Sequence, residues 1–176
     1  GKDIRTMTPL VCAMEMVEYL KNVFKEHIQE EGAKTKDILI KDGFLPRATT
    51  EDEKRRMTPA IIVTPVLITT PKPTLDEDST VKLEINVLTY SKDKMEGHRE
   101  LFHILEKIRM AIFKKQILAK KFSLSSEHDV KATIPYDQPY PQWWALIEVY
   151  YTIGRVLEEN LFKDTGDFKW NYNPKL

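Results

Sequence analysis

Four histidines and one cysteine are the side chains in this sequence best suited to hold a metal or attack a substrate: His27, His98, His103, His128 and Cys12. A metal site needs ligands that converge, as two histidines four apart do on one face of a helix. His98 and His103 are five positions apart, which puts them on different faces, and no other pair has ligand spacing. The imidazoles read as surface or boundary residues. Cys12 has no second cysteine, so neither an intrachain disulfide nor a cysteine zinc site can form. It falls on the apolar side of a predicted helix, where a thiol packs as a small hydrophobe. "LDEDS" at residues 75–79 is acidic like a calcium loop but lacks the glycine and closing glutamate of an EF-hand, and reads as a solvated turn. The six glycines are scattered; none builds a phosphate-cradling loop or a nucleophile elbow. No catalytic, cofactor-binding or metal-ligating residue is expected, and the chain does not read as an enzyme.

What remains is aromatic and basic. "PYDQPYPQWW", residues 135–144, holds three prolines, two tyrosines and two adjacent tryptophans. Each proline pushes its predecessor toward extended backbone, so the stretch is a stiff approach that delivers Trp143 and Trp144 to a strand. Successive strand residues face opposite ways. Counting back from the apolar set Ala145, Ile147 and Val149 puts Trp143 inward and Trp144 outward, with Tyr140 beside Trp144. Aromatic residues are enriched at protein contacts, so Tyr140 and Trp144 are interface candidates. "EKRR" at 53–56 adds Arg55 and Arg56, which could meet an acidic surface although Glu51 and Asp52 nearly neutralise them.

The elements that must position these residues follow from periodicity. Thr8-Pro9 reads as a helix cap followed by a first-turn proline. Leu10, Met14, Val17, Leu20, Phe24 and Ile28 then recur at helical spacing over about six turns, and Gly32 supplies a stop. "DILIKDGFLP" is a short strand ending in a turn, and residues 46–59 form a long solvated loop. "AIIVTPVLIT" is β-branched, but its Pro65 lacks a ladder donor and predicts an edge or a bulge. A polar loop leads to "VKLEINVLTY", in which Val81, Leu83, Ile85 and Val87 alternate with Lys82, Glu84 and Asn86. One dry and one wet face suit an antiparallel sheet covered on one side.

A second helix begins near residues 91–95 and runs to about 117, with Leu101, Ile104, Leu105, Ile108 and Ile112 as its stripe. Phe102, Met110 and Phe113 lie off that stripe; they widen the core face or meet a neighbouring subunit, which makes Phe113 a further interface candidate. "KKFSLSS", "DVKATIPYD" and "WALIEVYYTIGRV" are three closing strands. The order is α-β-β-β-α-β-β-β. Strands and helices that run in blocks rather than strict alternation indicate an α+β fold, here a mainly antiparallel sheet of about 5–6 strands packed by two amphipathic helices.

A length of 176 residues suits one domain, placed at 8–156. Residues 1–7 read as a vector remnant or disordered start, and 157–176 as a C-terminal arm carrying Leu161, Phe162, Phe168 and Trp170. Lys plus Arg total 27 and Asp plus Glu total 27, so the basic excess that nucleic-acid binding draws on is missing. No apolar run reaches the ~20 residues of a membrane span, and a lone thiol suits a reducing cytoplasm.

The pattern as a whole resembles the small tail-terminator, or tail-completion, proteins of long-tailed bacteriophages and prophages. The resemblance rests on an amphipathic first helix, "FLP" and a "TPAIIV" strand. It continues through "INVLTYSKDKMEGHRELFHILEKIRMAIF", where Tyr-Ser-x-Asp breaks a strand straight into a helix, and closes with "FSL" and "QPYPQWWALIEVYYTI". It covers residues 8–155 and implies an α+β subunit of a hexameric ring without catalysis. Such a ring caps the tail tube at the head-proximal end of the virion, ends polymerisation and meets the head-completion proteins. A different neck or head–tail connector subunit, or a binding module with an aromatic patch, fits the same residues.

Overall fold

Thr8 opens the first helix as the sequence predicts. Its hydroxyl accepts from the Val11 N–H at 3.2 Å and its carbonyl from the Cys12 N–H at 3.1 Å, satisfying donors that a helix start leaves free. The computed structural model describes residues 8–31 and 37–154, with side chains up to residue 25 in the first stretch. The expectations for residues 1–7, Gly32, the arm at 157–176, and the side chains of His27 and Ile28 lie outside the described residues.

Helix α1 spans Pro9–Glu31. Strand β1, Leu39–Asp42, leads through Gly43 to a short helix α2, Glu51–Arg56. Strands β2, Ala60–Thr69, and β3, Ser79–Tyr90, form a hairpin, and helix α3 spans Lys94–Lys114. Four strands follow: β4 Ile117–Leu118, β5 Phe122–Leu124, β6 Lys131–Thr133 and β7 Gln142–Gly154. They form one seven-stranded sheet in the order β1-β2-β3-β7-β5-β4, with β6 also on β7. Only the β1–β2 pair is parallel. The fold is α+β, as expected, with one strand more than the upper expectation.

Helices α1 and α3 lie on one face of the sheet. Val81, Leu83, Ile85 and Val87 of β3, and Ala145, Ile147, Val149, Tyr151 and Ile153 of β7, point toward them and are buried. From α3 come Leu101, Ile104, Leu105, Ile108 and Ile112, and from α1 Cys12, Ala13, Met16, Val17, Leu20 and Phe24. Each large aliphatic or aromatic group withdrawn from water here contributes about 1.5–3 kcal/mol. Tyr19 fixes the two helices side by side, because its hydroxyl donates to the Ala111 carbonyl at 2.7 Å.

Four expectations need correction. The loop predicted at 46–59 contains α2, a single capped turn and a half: Thr50 Oγ1 accepts from the Glu53 N–H at 3.1 Å while Glu53 Oε2 takes the Thr49 N–H at 3.0 Å. The second bond reaches the residue before the cap rather than the cap itself, a variant of the capping box, and the two together stabilise a helix too short to show periodicity. Helix α3 stops at Lys114, and Ile117 belongs to β4 instead. The stretch after α3 forms four strands, not three. Leu10 and Met14, assigned to the buried stripe of α1, are about half exposed, because the face of α1 that packs on the core is the one carrying Cys12, Ala13, Met16, Val17, Leu20 and Phe24, and these two residues lie on its flank.

Ile85 is fully buried and Leu105 nearly so. Truncating either to Ala should lower unfolding stability by about 2–5 kcal/mol, the loss of transfer energy plus a residual cavity. Chemical denaturation of the two variants measures this; unchanged midpoints would contradict the placement of α3 over β3.

Candidate protein interface

Tyr90-Ser91-Lys92-Asp93 and Pro141-Gln142-Trp143 lie far apart in sequence and meet at one end of the sheet. Asp93 caps α3, its carboxylate accepting from the Met95 and Glu96 N–H groups at 2.9 and 3.0 Å. The Ser91 N–H donates to the Pro141 carbonyl at 2.9 Å. In return the indole N–H of Trp143 donates to the Ser91 carbonyl at 3.1 Å, and the Tyr140 hydroxyl to the Lys92 carbonyl at 2.8 Å. The strand-to-helix corner is thereby clamped by the residues that introduce β7.

The Trp143 ring lies on α3 at Gly97. A Cβ added there would overlap the Nε1, Cε2 and Cδ1 atoms of the indole, so this helix position needs glycine for close approach. Trp143 packs on the core face as the alternation predicts. Tyr140, expected beside Trp144, is instead edge-on to Trp143, with ring centroids 6.0 Å apart and planes at 87°. The proline-rich approach doubles back here, as the Tyr140 N–H bonding to the Gln138 carbonyl at 2.8 Å shows. Strand alternation does not extend through such a turn. Tyr140 remains about half exposed, and Lys94 Nζ sits 5.4 Å from its ring centroid.

Trp144 occupies the opposite face, again as alternation requires. It is half-buried on Ala60, Ile62 and Leu88, with Met57 beside it. Its indole N–H donates to Asn86 Oδ1 at 2.7 Å. Gln138 flanks its backbone: Oε1 accepts from the Trp144 N–H at 2.7 Å and Nε2 donates to the Trp144 carbonyl at 3.0 Å. The β6–β7 ladder stops at Thr133 and Leu146, so one side-chain amide here replaces the missing strand. Sequence reasoning missed Gln138, Asn86 and Gly97. The signals available were an asparagine inside a strand and a glycine inside a helix, both disfavoured there.

Helix α2 brings the basic candidates to the same end. Arg55 pairs with Asp52 at 3.2 Å and lies 5.5 Å from the Tyr90 ring centroid. The Tyr90 hydroxyl donates to Glu51 at 3.3 Å, and Lys92 reaches the same carboxylate at 4.0 Å. Arg56 is exposed beside it. Arg55, Arg56, Tyr140 and Trp144 thus share one end of the sheet. Phe113, half exposed, lies about 29 Å further along α3 at ~1.5 Å per residue. It belongs to a separate outer row with Met95, Phe102 and Met110.

The described histidines do not converge. His98 contacts Phe102, while His128 bonds Ser125 at 2.9 Å and stacks on Tyr150 at 4.0 Å. Among the described residues no three His, Cys, Asp or Glu groups could hold one metal ion, and no helix is long and apolar enough to cross a membrane. Cys12 is fully buried; burial first, and the Glu15 charge second, push its thiol up to about 12.

The thiolate is the reactive form. Burial and the raised pKa leave little of it at pH 8, so a disulfide reagent should label the folded protein very slowly and the unfolded chain at once. Rapid labelling of the folded protein would contradict this packing. Gly97→Ala should cost about 1–3 kcal/mol, the usual penalty of overpacking, and shift the Trp143 fluorescence. Trp144→Phe keeps the ring but strands Asn86 Oδ1, at about 1–3 kcal/mol for an unpaired buried acceptor. Denaturation of the two variants, read against Trp143→Phe, separates the packing role from the hydrogen-bonding role. No protein-family model matches this chain, and no curated protein matches it.

Proposed function

We propose that this chain is a structural subunit of a long-tailed phage or prophage, a terminator that self-associates as a ring on the end of the tail tube. The ring ends tube polymerisation and offers its outer surface to the head-completion proteins. One observation carries the reading: the two short motifs behind the resemblance are physically one unit. Tyr-Ser-x-Asp and Pro-x-Trp are joined by two hydrogen bonds, from Ser91 to Pro141 and Trp143 to Ser91, and Tyr140, just before the second motif, adds a third to Lys92. Motifs that pack on each other constrain the same corner of the fold, so their joint presence weighs more than either alone. Around that corner lie Arg55, Arg56 and Tyr140, exposed and of the types that anchor protein contacts. Phe113 and its row on α3 offer a second surface, and a ring subunit needs two different ones.

The purified chain should form hexamers, alone or on addition of tail tubes, by solution mass measurement and electron microscopy. Arg55→Glu with Arg56→Glu, and separately Phe113→Ser, should leave the melting temperature within a few degrees while weakening ring formation or tail-length control. A subunit that stays monomeric with tubes present, and whose loss leaves tail length unchanged, would overturn the reading.

A further inference from the structure

Phe44 and Leu45 leave β1 at the edge of the sheet. Gly43, at φ +114°, donates its N–H to the Val63 carbonyl, and its own carbonyl accepts from the Thr64 hydroxyl. The two side chains therefore emerge beside Pro65. Phe44 is 81% exposed, and Leu45, Val66, Leu67 and Ile68 lie between 43% and 58%. No ionisable residue occurs in 43–46 or 64–71. Contiguous apolar surface of this kind marks contact sites on soluble proteins. A strand is a poor occupant, because Pro65 lacks a donor and the register shifts between Pro65 and Leu67. What the edge offers is side chains rather than a regular ladder.

The second apolar surface, on α3, lies on the far side of the subunit. Helix α1 packs chiefly on β1 and β2, and α3 on β3 and β7. Ala111 marks the flank of α3 turned to α1, through the bond from Tyr19. Phe102 is nine residues from Ala111, about two and a half turns at ~3.6 residues each, so it takes the opposite flank. Met95 and Phe113 fall within ~20° of Phe102 around the helix. This row points away from α1 and from the β1–β2 edge. All three side chains are about half exposed. Between Phe102 and Phe113 the charges of Glu106 and Arg109 satisfy each other at 3.0 Å, so covering that stretch leaves neither without a partner.

We propose that the two surfaces meet between copies of this chain: Phe44, Leu45, Val66, Leu67 and Ile68 of one subunit pack on the Met95, Phe102 and Phe113 row of the next. The contact deepens the ring reading and rests on it. Two unlike patches on opposite sides make a head-to-tail contact, which repeats from copy to copy and closes where the rotation allows. A second copy covers both patches with a single kind of contact; an unrelated protein on either one would leave the other in water. Each patch supplies the apolar centre, and the polar residues around it the rim, of the ~800 Å² that each partner gives to a standard interface. The corner of Arg55, Arg56 and Tyr140, at the end of the sheet, stays free for the tube or the head-completion proteins.

Single-cysteine additions test the contact, because Cys12 is buried and does not compete. Leu67→Cys and Phe102→Cys, both at exposed positions, are treated with a flexible bis-maleimide separately and as a mixture, without and with tail tubes. The mixture should give cross-linked pairs with one chain of each kind, neither variant alone should, and a chain carrying both changes should give a ladder of multimers. Adding Phe113→Glu to the Phe102→Cys chain should lower the mixed yield about tenfold, the effect of losing one anchor residue. Melting temperatures close to the parent's report folded chains, and Phe44→Cys replaces Leu67→Cys if the strand variant unfolds. Cross-links within either variant alone would show a two-fold contact and overturn the head-to-tail assignment. None in the mixture, with or without tubes, would overturn the contact itself. Capped tubes without mixed cross-links would sink this contact and leave the terminator reading standing; mixed cross-links with normal tail length in the subunit's absence would do the reverse.

Discussion

The close approach of the Trp143 indole to the Gly97 backbone is the contact on which the rest of the structure depends. It joins α3 to the start of β7, and its N–H holds the Ser91 carbonyl at the corner between β3 and α3. With that corner fixed, Tyr90 sits opposite Gln142 and the β3–β7 register runs in step from there to Thr80–Thr152. A slip of one residue would turn every β7 side chain to the other face. Asp93 completes the arrangement by capping α3 directly after the corner, and the helix that starts there lays Leu101, Leu105, Ile108 and Ile112 into the core shared with the two central strands.

That register gives the sheet two unlike faces. Toward the helices, β3 and β7 present aliphatic groups with almost no exposure. Away from them lie Lys82 paired with Glu148, and Tyr150 stacked on His128. Both members of the ion pair retain roughly a fifth to a quarter of their side-chain exposure, so solvent still screens them and their contribution to stability is small. The Glu148 hydrogen bond first, and its charge after the opposing cost of desolvation, hold the Lys82 ammonium above its ordinary pKa. The ammonium therefore stays charged across physiological pH, and the face stays polar enough to meet water or a protein surface. Trp144 closes one end of it over Ala60, Ile62 and Leu88.

What could be read from sequence divides along physical lines. The core residues of α3, β3 and β7 were legible because each spans several periods of its own repeat, and the alternation predicted their buried faces correctly. Helix α2 and strand β4 are too short to show a period; capping by Thr50 and Glu53, and pairing with Phe122, create them. Leu10 and Met14 followed the helical repeat faithfully, yet burial depends on what lies opposite, and the core meets the neighbouring face of Cys12, Ala13, Met16 and Val17 instead. The side assigned to Tyr140 failed for a related reason: alternation counts residues along a strand, and the turn at Gln138 and Pro139 precedes the strand. Trp143 and Trp144, inside it, took the faces expected. Of the interface candidates, sequence identified the residue types, but only the fold shows that four of them share one end while Phe113 lies remote.

The edges of the sheet show how the same sequence limits association. On one side β4 has two residues and β6 three, and Ala119 and Lys120 turn between β4 and β5 with positive φ. Such short pieces give an incoming strand little to pair with. Where β6 ends, Gln138 occupies the β7 backbone that would otherwise be open. On the other side β1 covers the start of β2, and Pro65 with the register shift before Leu67 interrupts the ladder beyond it. Proline removes a donor and a bulge bends the strand, so regular sheet extension is disfavoured even where Val66, Leu67 and Ile68 remain exposed. Only a strand that follows that bend can pair along the whole open edge, which makes the edge selective rather than merely adhesive.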